Sequence, residues 1–222
     1  MTTHPPQAQG LYDPRHEHDA CGVGFVAHIT GQSSHGLVEQ ALALLINLEH
    51  RGAAGADPHT GDGAGILVQM PDAFLRGVVE FPLPPAGQYG AGLVFLPVDD
   101  MLCAHVTSLI EKTISDTGLR LLGWRTVPTR LDRIGTTAAA AAPRFMQLFV
   151  THADPGVAHD PAALERALFV LRKRMEHRID ALLTEPAVRR DVFIVSLSAR
   201  TLIYKGMLTA AQLGMLLMLP RL

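Results

Sequence analysis

The sequence predicts an α+β fold, with helices laid on largely antiparallel sheets. Three observations carry this. Two pairs of strand-like runs follow one another with no helical period between them: LRLLGWRTVP (119–128) then RFMQLFVTH (144–152), and DVFIVSLSA (191–199) then TLIYKGM (201–207). Such succession favours antiparallel sheets over a doubly wound parallel one. Amphipathic helical patterns separate the other runs, and no segment repeats. The chain has 222 residues, 48% of them hydrophobic, enough to bury the core of one globular domain.

The elements follow in order. Residues 1–20, MTTHPPQAQGLYDPRHEHDA, are rich in Pro, His and Gln and read as a flexible leader. Residues 21–29 place Val23, Phe25, Val26 and Ile29 in a buried strand. A helical period then takes over, with Val38, Leu42, Leu45 and Leu48 on one face and Gly52 as a C-terminal stop. HRGAAGADPHTGDGAG (50–65) is a loop dense in Gly and Asp, and ILVQM (66–70) a short buried strand. PDAFLRGVV is a turn or two of helix opened by Pro71, and YGAGLVFLP (89–97) a strand.

The next helix has Asp99 and Asp100 at its start, Leu102, Val106, Leu109, Ile110 and Ile114 on one face, and Gly118 as its stop. An alanine-rich loop at 137–142 separates the next two strands. A long helix opens at Asp160-Pro161, with the cap then a proline at the first position, and carries Leu164, Leu168, Leu171 and Met175. A last helix begins near Thr209.

The net charge is −2 with 18% charged residues, and the densest basic run, Arg172-Lys173-Arg174, falls in the long amphipathic helix. That is a solvated helix face, not a nucleic-acid footprint. Two cysteines, Cys21 and Cys103, form no CxxC and no disulfide scaffold, which suits a reducing compartment. The first twenty residues contain no apolar core of a secretory signal, and no run reaches the roughly 18 apolar residues that span a bilayer. A cytoplasmic protein with no membrane or nucleic-acid partner is expected. The 11 histidines, including His16, His18, His50 and His59, show no zinc pattern with the cysteines, and no metal site is expected.

Cys21 stands where the leader meets the first apolar segment. A lone cysteine is ordinarily a small buried hydrophobe. If the leader is cut after Ala20, Cys21 instead gains a free α-amine with a pKa of about 7.7–8.0, neutral often enough to act as base for its own thiol. Cys103, near the apolar stripe of its helix, reads as a core cysteine. Trp124 and Arg125 read as strand packing residues. Thr60-Gly61-Asp62-Gly63-Ala64-Gly65 is neither a P-loop, lacking Gly-Lys-Ser/Thr, nor an EF-hand, lacking its ligand spacing and closing Glu. Its glycines suit a backbone turn passing close beneath another segment, with Asp62 a turn or capping residue.

Two strings, GLYDPRHEHDACGVGFVAHI and HRGAAGADPHTGDGAGILV, resemble the start of the glutamate synthase large subunit, which opens with a class II glutamine amidotransferase domain. The likeness continues through YGAGLVFLP, GWRTVP and DVFIVSLSARTLIYKGMLTAAQL, over about residues 10–212. It implies a four-layer αββα Ntn-hydrolase sandwich, a propeptide 1–20 removed to expose Cys21, and hydrolysis of glutamine through a Cys21 thioester. The ammonia then serves glutamate synthesis from 2-oxoglutarate in the complete enzyme. FMN and an iron–sulfur cluster are implied only for that complete subunit, and no cofactor for this chain. The partners implied are glutamine and the remaining glutamate synthase domains or small subunit. Arg51 matches the arginine that class II amidotransferases place beside the nucleophile; its plainer reading is an arginine at a helix end. Gly61, Asp62, Gly63 and Gly65 are the structural loop near the site.

The sequence departs from the family after Leu213. The runs His-Gln-Arg-Tyr/Phe-Ser-Thr-Asn and His-Asn-Gly-Glu, the latter supplying the family's oxyanion hole, do not occur, and LGMLLMLPRL (213–222) stands instead. The expectation is therefore a sandwich incomplete at its C-terminal end, with 21–212 a partial domain and 213–222 a divergent apolar tail. Two alternatives stand beside a glutaminase part of glutamate synthase: a truncated, inactive remnant or association module, and another class II amidotransferase of the amidophosphoribosyl or glucosamine-phosphate type.

Overall fold

The computed structural model describes residues 22–49, 59–61, 63–184 and 191–216, with Gly10 and Asp13 besides. Its elements in chain order are α1 (His35–Asn47), β1 (Ala64–Gln69), α2 (Asp72–Val78), β2 (Gly90–Leu96), α3 (Asp100–Asp116), β3 (Leu119–Thr126), α4 (Thr136–Ala140), β4 (Arg144–His152), α5 (Pro155–His159), α6 (Pro161–Leu182), β5 (Phe193–Ile194), β6 (Thr201–Gly206) and α7 (Ala210–Leu216), with a 3₁₀ turn at Leu131–Arg133. Two of the expected caps form. The Asp99 carboxylate accepts from the Leu102 amide at 2.8 Å, and that of Asp160 from the Ala162 and Ala163 amides at 2.9 and 3.0 Å, so each satisfies amides the first helical turn leaves open.

Among the described residues every strand pair is antiparallel, as the succession of strands predicts. One sheet has the order β3-β4-β2-β5 and the other pairs β1 with β6. The larger sheet packs against α3 and α6. Val106, Ile110 and Ile114 of α3, and Leu164, Leu168 and Leu171 of α6, are wholly buried there against Val94, Leu148 and Val150. Each such side chain contributes about 1.5–3 kcal/mol of burial. Arg178 of α6 donates to Asp116 at 2.7 Å and to Thr113 at 3.0 Å, tying the two helices at their rim. A second core gathers Ile66, Leu93, Phe145, Val195, Leu202, Tyr204, Leu208 and Leu213, so it joins β1 and β6 to the larger sheet; Val38, Ala41, Leu42 and Leu45 of α1 pack against it.

Three expectations are corrected. No strand forms over 22–34, and Val23, Phe25 and Ile29 are 86%, 90% and 103% exposed. The apolar pattern favours a strand there, but a strand needs an edge to pair with; among the described residues none pairs with this segment, which lies against side chains of α1. The alanine-rich stretch holds the short helix α4, because alanine has the highest helix propensity. The runs at 191–199 and 201–207, read as strands joined by a tight connection, go to different sheets: β5 joins β2, and β6 crosses to β1. The short β1 is also less buried than expected, with Ile66 inside but Leu67 61% exposed.

Candidate active site

Cys21, Arg51 and Asp62 lie outside the described residues; Gly61, Gly63 and Gly65 lie within them. The residues on either side of Cys21 and Arg51 are informative. A Cβ at Gly22 would sit 3.1 Å from the Leu48 Cβ, and one at Gly24 would collide with the Leu44 side chain. Gly22 to Gly24 spans about 6.6 Å of extended chain, and Leu48 back to Leu44 about 6 Å of helix. The segment therefore runs antiparallel along the last turn of α1, touching it through glycines. Residue 22, next to Cys21, meets the helix end three residues before Arg51.

The glycine loop is fixed by backbone. The Leu208 carbonyl occupies the space a Cβ on Gly61 would need, so only glycine permits that approach. Gly63 has φ 138°, a conformation L side chains rarely adopt. Gly65, the second residue of β1, lies opposite Lys205, and a Cβ there would lie 2.8 Å from the Lys205 Cβ.

Gln212 of α7 reaches the same loop. Its Nε2 donates to the His59 carbonyl at 2.8 Å and to that of Arg133 at 3.3 Å, while its Oε1 accepts from the Thr209 amide at 2.9 Å. The His59 carbonyl also accepts from the Gly135 amide at 2.9 Å. The spacing Thr209-x-x-Gln212 is that of a capping box, the signal by which this buried glutamine is legible in sequence.

A cleft of about 730 Å³ opens between 26–34, the start of α1 and β1, lined by Val26, Leu37, Val38, Ile66, Val68 and Phe74 among others. Asp72, at its wall, accepts two hydrogen bonds from Arg76 and one from the buried Tyr89, all at 2.9 Å. Burial pulls the Asp72 carboxyl upward, but the Arg76 and Tyr89 bonds outweigh it and hold the carboxyl below its ordinary value. Burial, then the Asp72 bond, pushes the Tyr89 phenol up. A carboxylate so saturated is a structural anion, not a proton acceptor.

Beyond the cleft, Arg125 Nη1 donates to Gln147 Oε1 at 2.6 Å and Gln147 Nε2 to the Tyr204 hydroxyl at 2.9 Å, linking β3, β4 and β6. Arg125 thus belongs to a polar relay between the two sheets, which a reading as plain packing misses; a glutamine inside the apolar run FMQLFV was the available signal. Trp124 packs as expected and donates to Glu111 at 2.9 Å. Cys103 is partly buried against the α3–α6 core. No group of three His, Cys, Asp or Glu able to hold a metal occurs among the described residues. Nor, among them, is any helix long and apolar enough to cross a membrane.

The profile of the family described as "Glutamine amidotransferases class-II" matches residues 21–218, and the chain belongs to that family of enzymes. The match starts at Cys21 and runs past Leu213. Among individual proteins, the chain is 42% identical over 208 residues to the glutamate synthase [NADPH] large chain of Bacillus subtilis (strain 168), covering 93% of this chain and 13% of that one. It is 38% identical over 213 residues to the glutamate synthase [NADH] of Schizosaccharomyces pombe, covering 93% and 10%. The ferredoxin-dependent glutamate synthase 1 of Arabidopsis thaliana, chloroplastic/mitochondrial, is also 38% identical over 213 residues, covering 95% and 13%. The chain thus spans about an eighth or less of the length of these relatives.

Proposed function

We propose that this chain is the glutaminase part of a glutamate synthase, with Cys21 as an N-terminal nucleophile and a four-layer αββα sandwich as its scaffold. The observation that carries the site is the contact of Gly22 with Leu48, which sets the residue after Cys21 against the helix that leads to Arg51. The α3/α6 pair on one side of the larger sheet, and α1 and α7 packed with β1 and β6, support the layered scaffold.

In this reading residues 1–20 are cleaved off after Ala20. The freed α-amine of Cys21 takes the thiol proton, and the sulfur attacks the side-chain amide carbon of glutamine. The C–N bond breaks, the amine returns the proton to the leaving nitrogen, and ammonia departs. Water then hydrolyses the glutamyl thioester to glutamate and restores the thiol. The Arg51 guanidinium favours the thiolate and holds a carboxylate or oxyanion. The ammonia serves conversion of 2-oxoglutarate to a second glutamate in other parts of the complete enzyme. The FMN and the iron–sulfur cluster that the family resemblance implies for the complete subunit belong, in this reading, to those other parts.

Intact mass of the full gene product from a processing-competent host tests the reading. Loss of residues 1–20 is the expected result, together with loss of glutamine hydrolysis in Cys21→Ala. Retention of the leader with full activity, or activity surviving Cys21→Ala, would overturn it.

A further inference from the structure

We propose that Arg125 centres a binding site for a small carboxylate taken from solution, at the edge of the gap between the two sheets. Arg125 of β3 stands directly opposite Gln147 of β4, on the face that carries Leu93 and Phe145 toward β6. Gln147 is 0% exposed, and its amide is oriented from both ends. Its Nε2 donates to the Tyr204 hydroxyl at 2.9 Å, so its Oε1 is left to accept from Arg125 Nη1 at 2.6 Å. The Arg125 guanidinium carbon lies 5.7 Å from the centre of the Phe74 ring, within cation–π range. One end of the guanidinium and one face are thereby fixed. β3 is an edge strand of the larger sheet and Arg125 is only partly buried, so the rest of the group reaches solvent.

What this arginine lacks is an anion. Of its five N–H donors Gln147 takes one, and among the described residues no carboxylate bonds the others. The other described arginines divide by exposure. Arg144, Arg172 and Arg178, partly buried as Arg125 is, each hold an Asp or Glu carboxylate. Arg120, Arg166, Arg174 and Arg200 form no ion pair among the described residues, and they are exposed. Asp72, on the helix that carries Phe74, is saturated by Arg76 and Tyr89. Burial, against a smaller opposing effect of Tyr204, pulls the Arg125 guanidinium below its ordinary value, whereas Asp72 and Asp100 push Arg76 and Arg144 above theirs. A charge drawn out of water without a counter-charge is costly, and an anion from solution relieves it.

The geometry of the fixed guanidinium selects the class of anion. A carboxylate meets a guanidinium fork to fork, with both N–H···O bonds in the guanidinium plane. It extends a group that already lies over a ring without thickening it. A phosphate is tetrahedral and carries oxygens out of that plane, toward the side that Phe74 occupies.

Phenylglyoxal modification of arginine, mapped by peptide mass on the full gene product, reads the site without any activity. Arg125 should react in sodium chloride. Replacing about 100 mM chloride by acetate should slow it about 3- to 6-fold, the factor 1 + [L]/Kd for a ligand of about four heavy atoms with a Kd of about 20–50 mM. Arg120, exposed on the same strand, should react at one rate in both salts. Phosphate at equal ionic strength should protect Arg125 less than acetate does. Gln147→Met keeps the size of the side chain and removes the bond that fixes Nη1, so the protection by acetate should fall away. An Arg125 that does not react in chloride would mean that the protein itself fills the place, and would overturn the proposal. So would no slowing by acetate, equal slowing of Arg120 and Arg125, better protection by phosphate, or full protection in Gln147→Met. The wild-type comparison decides even where Gln147→Met does not fold.

Discussion

The two ends of the described chain are built to different standards. Between the larger sheet and α3/α6, whole side chains vanish from solvent: Ile110, Ile114, Leu164, Leu168 and Leu171 are each 0% exposed. Along 22–34 and α1 no helical residue is fully buried, and Val23, Phe25 and Ile29 stand almost wholly in solvent. Yet the proposed chemistry lies in the second region. The dense half behaves as a scaffold that tolerates little change in volume. The thin half holds its segments by close approaches at glycine, Gly22 and Gly24 to the Leu48 and Leu44 side chains and Gly61 to the Leu208 carbonyl, beside the partly buried Val38, Ala41, Leu42 and Leu45 of α1. Stability and reactivity should therefore respond to different substitutions, and the contrast can be broken at several points.

The largest stability effect should come from the dense half. Leu168→Ala empties a wholly buried site and should destabilise the fold by about 2–5 kcal/mol, read as a fall in the denaturation midpoint. A smaller loss would mean the core collapses around the gap.

Next comes the turn between β5 and β6. The Glu165 carboxylate accepts from the Ser198 hydroxyl at 2.6 Å and the Ala199 amide at 2.9 Å, holding the chain where it leaves one sheet for the other. Glu165→Leu should cost about 1–3 kcal/mol by leaving those donors without their acceptor. A neutral result would show that the sheet switch needs no polar bracket.

The Asp72 carboxyl is held below its ordinary value, so it stabilises the fold above the unfolded pKa of about 3.9 and loses that contribution as pH falls toward its lower folded value. Acid denaturation of Asp72→Asn should therefore show a weaker pH dependence than wild type below about pH 4. Equal acid profiles would mean that Arg76 and Tyr89 do not stabilise the charged form.

The smallest effect should come from the thin half: Phe25→Ser should change stability by no more than about 0.5 kcal/mol, because the ring is already in water. A large loss would mean that ring is covered in solution.

The sequence was most legible where local signals and burial agree. Asp160-Pro161 and the stripe Leu164, Leu168, Leu171 and Met175 specify α6 and the face it buries. Asp99 does the same for α3. Legibility failed where a local pattern needed a distant partner. Val23, Phe25 and Ile29 have the composition of a strand, but pairing is set by edges far away in sequence. The destinations of β5 and β6 in different sheets were hidden for the same reason, since a short turn says nothing about crossing between layers. At the site, the glycines of the 59–65 loop were readable because close approach restricts residue type. Gln212 carries a local signal in its spacing to Thr209, but its carbonyl partners His59 and Arg133, like the partners within the Arg125–Gln147–Tyr204 relay, lie many residues away and were missed.

The central claim is that reactivity resides in the thin half although the dense half contains the other thiol. Cys103 lies on α3, partly buried against the core, and Cys21 lies one residue before Gly22. Peptide mapping of the full gene product after treatment with a glutamine-like diazoketone tests this most directly. The account predicts a label on Cys21, protection by excess glutamine, and an unmodified Cys103. Equal labelling of both cysteines, or label on Cys103 alone, would contradict it.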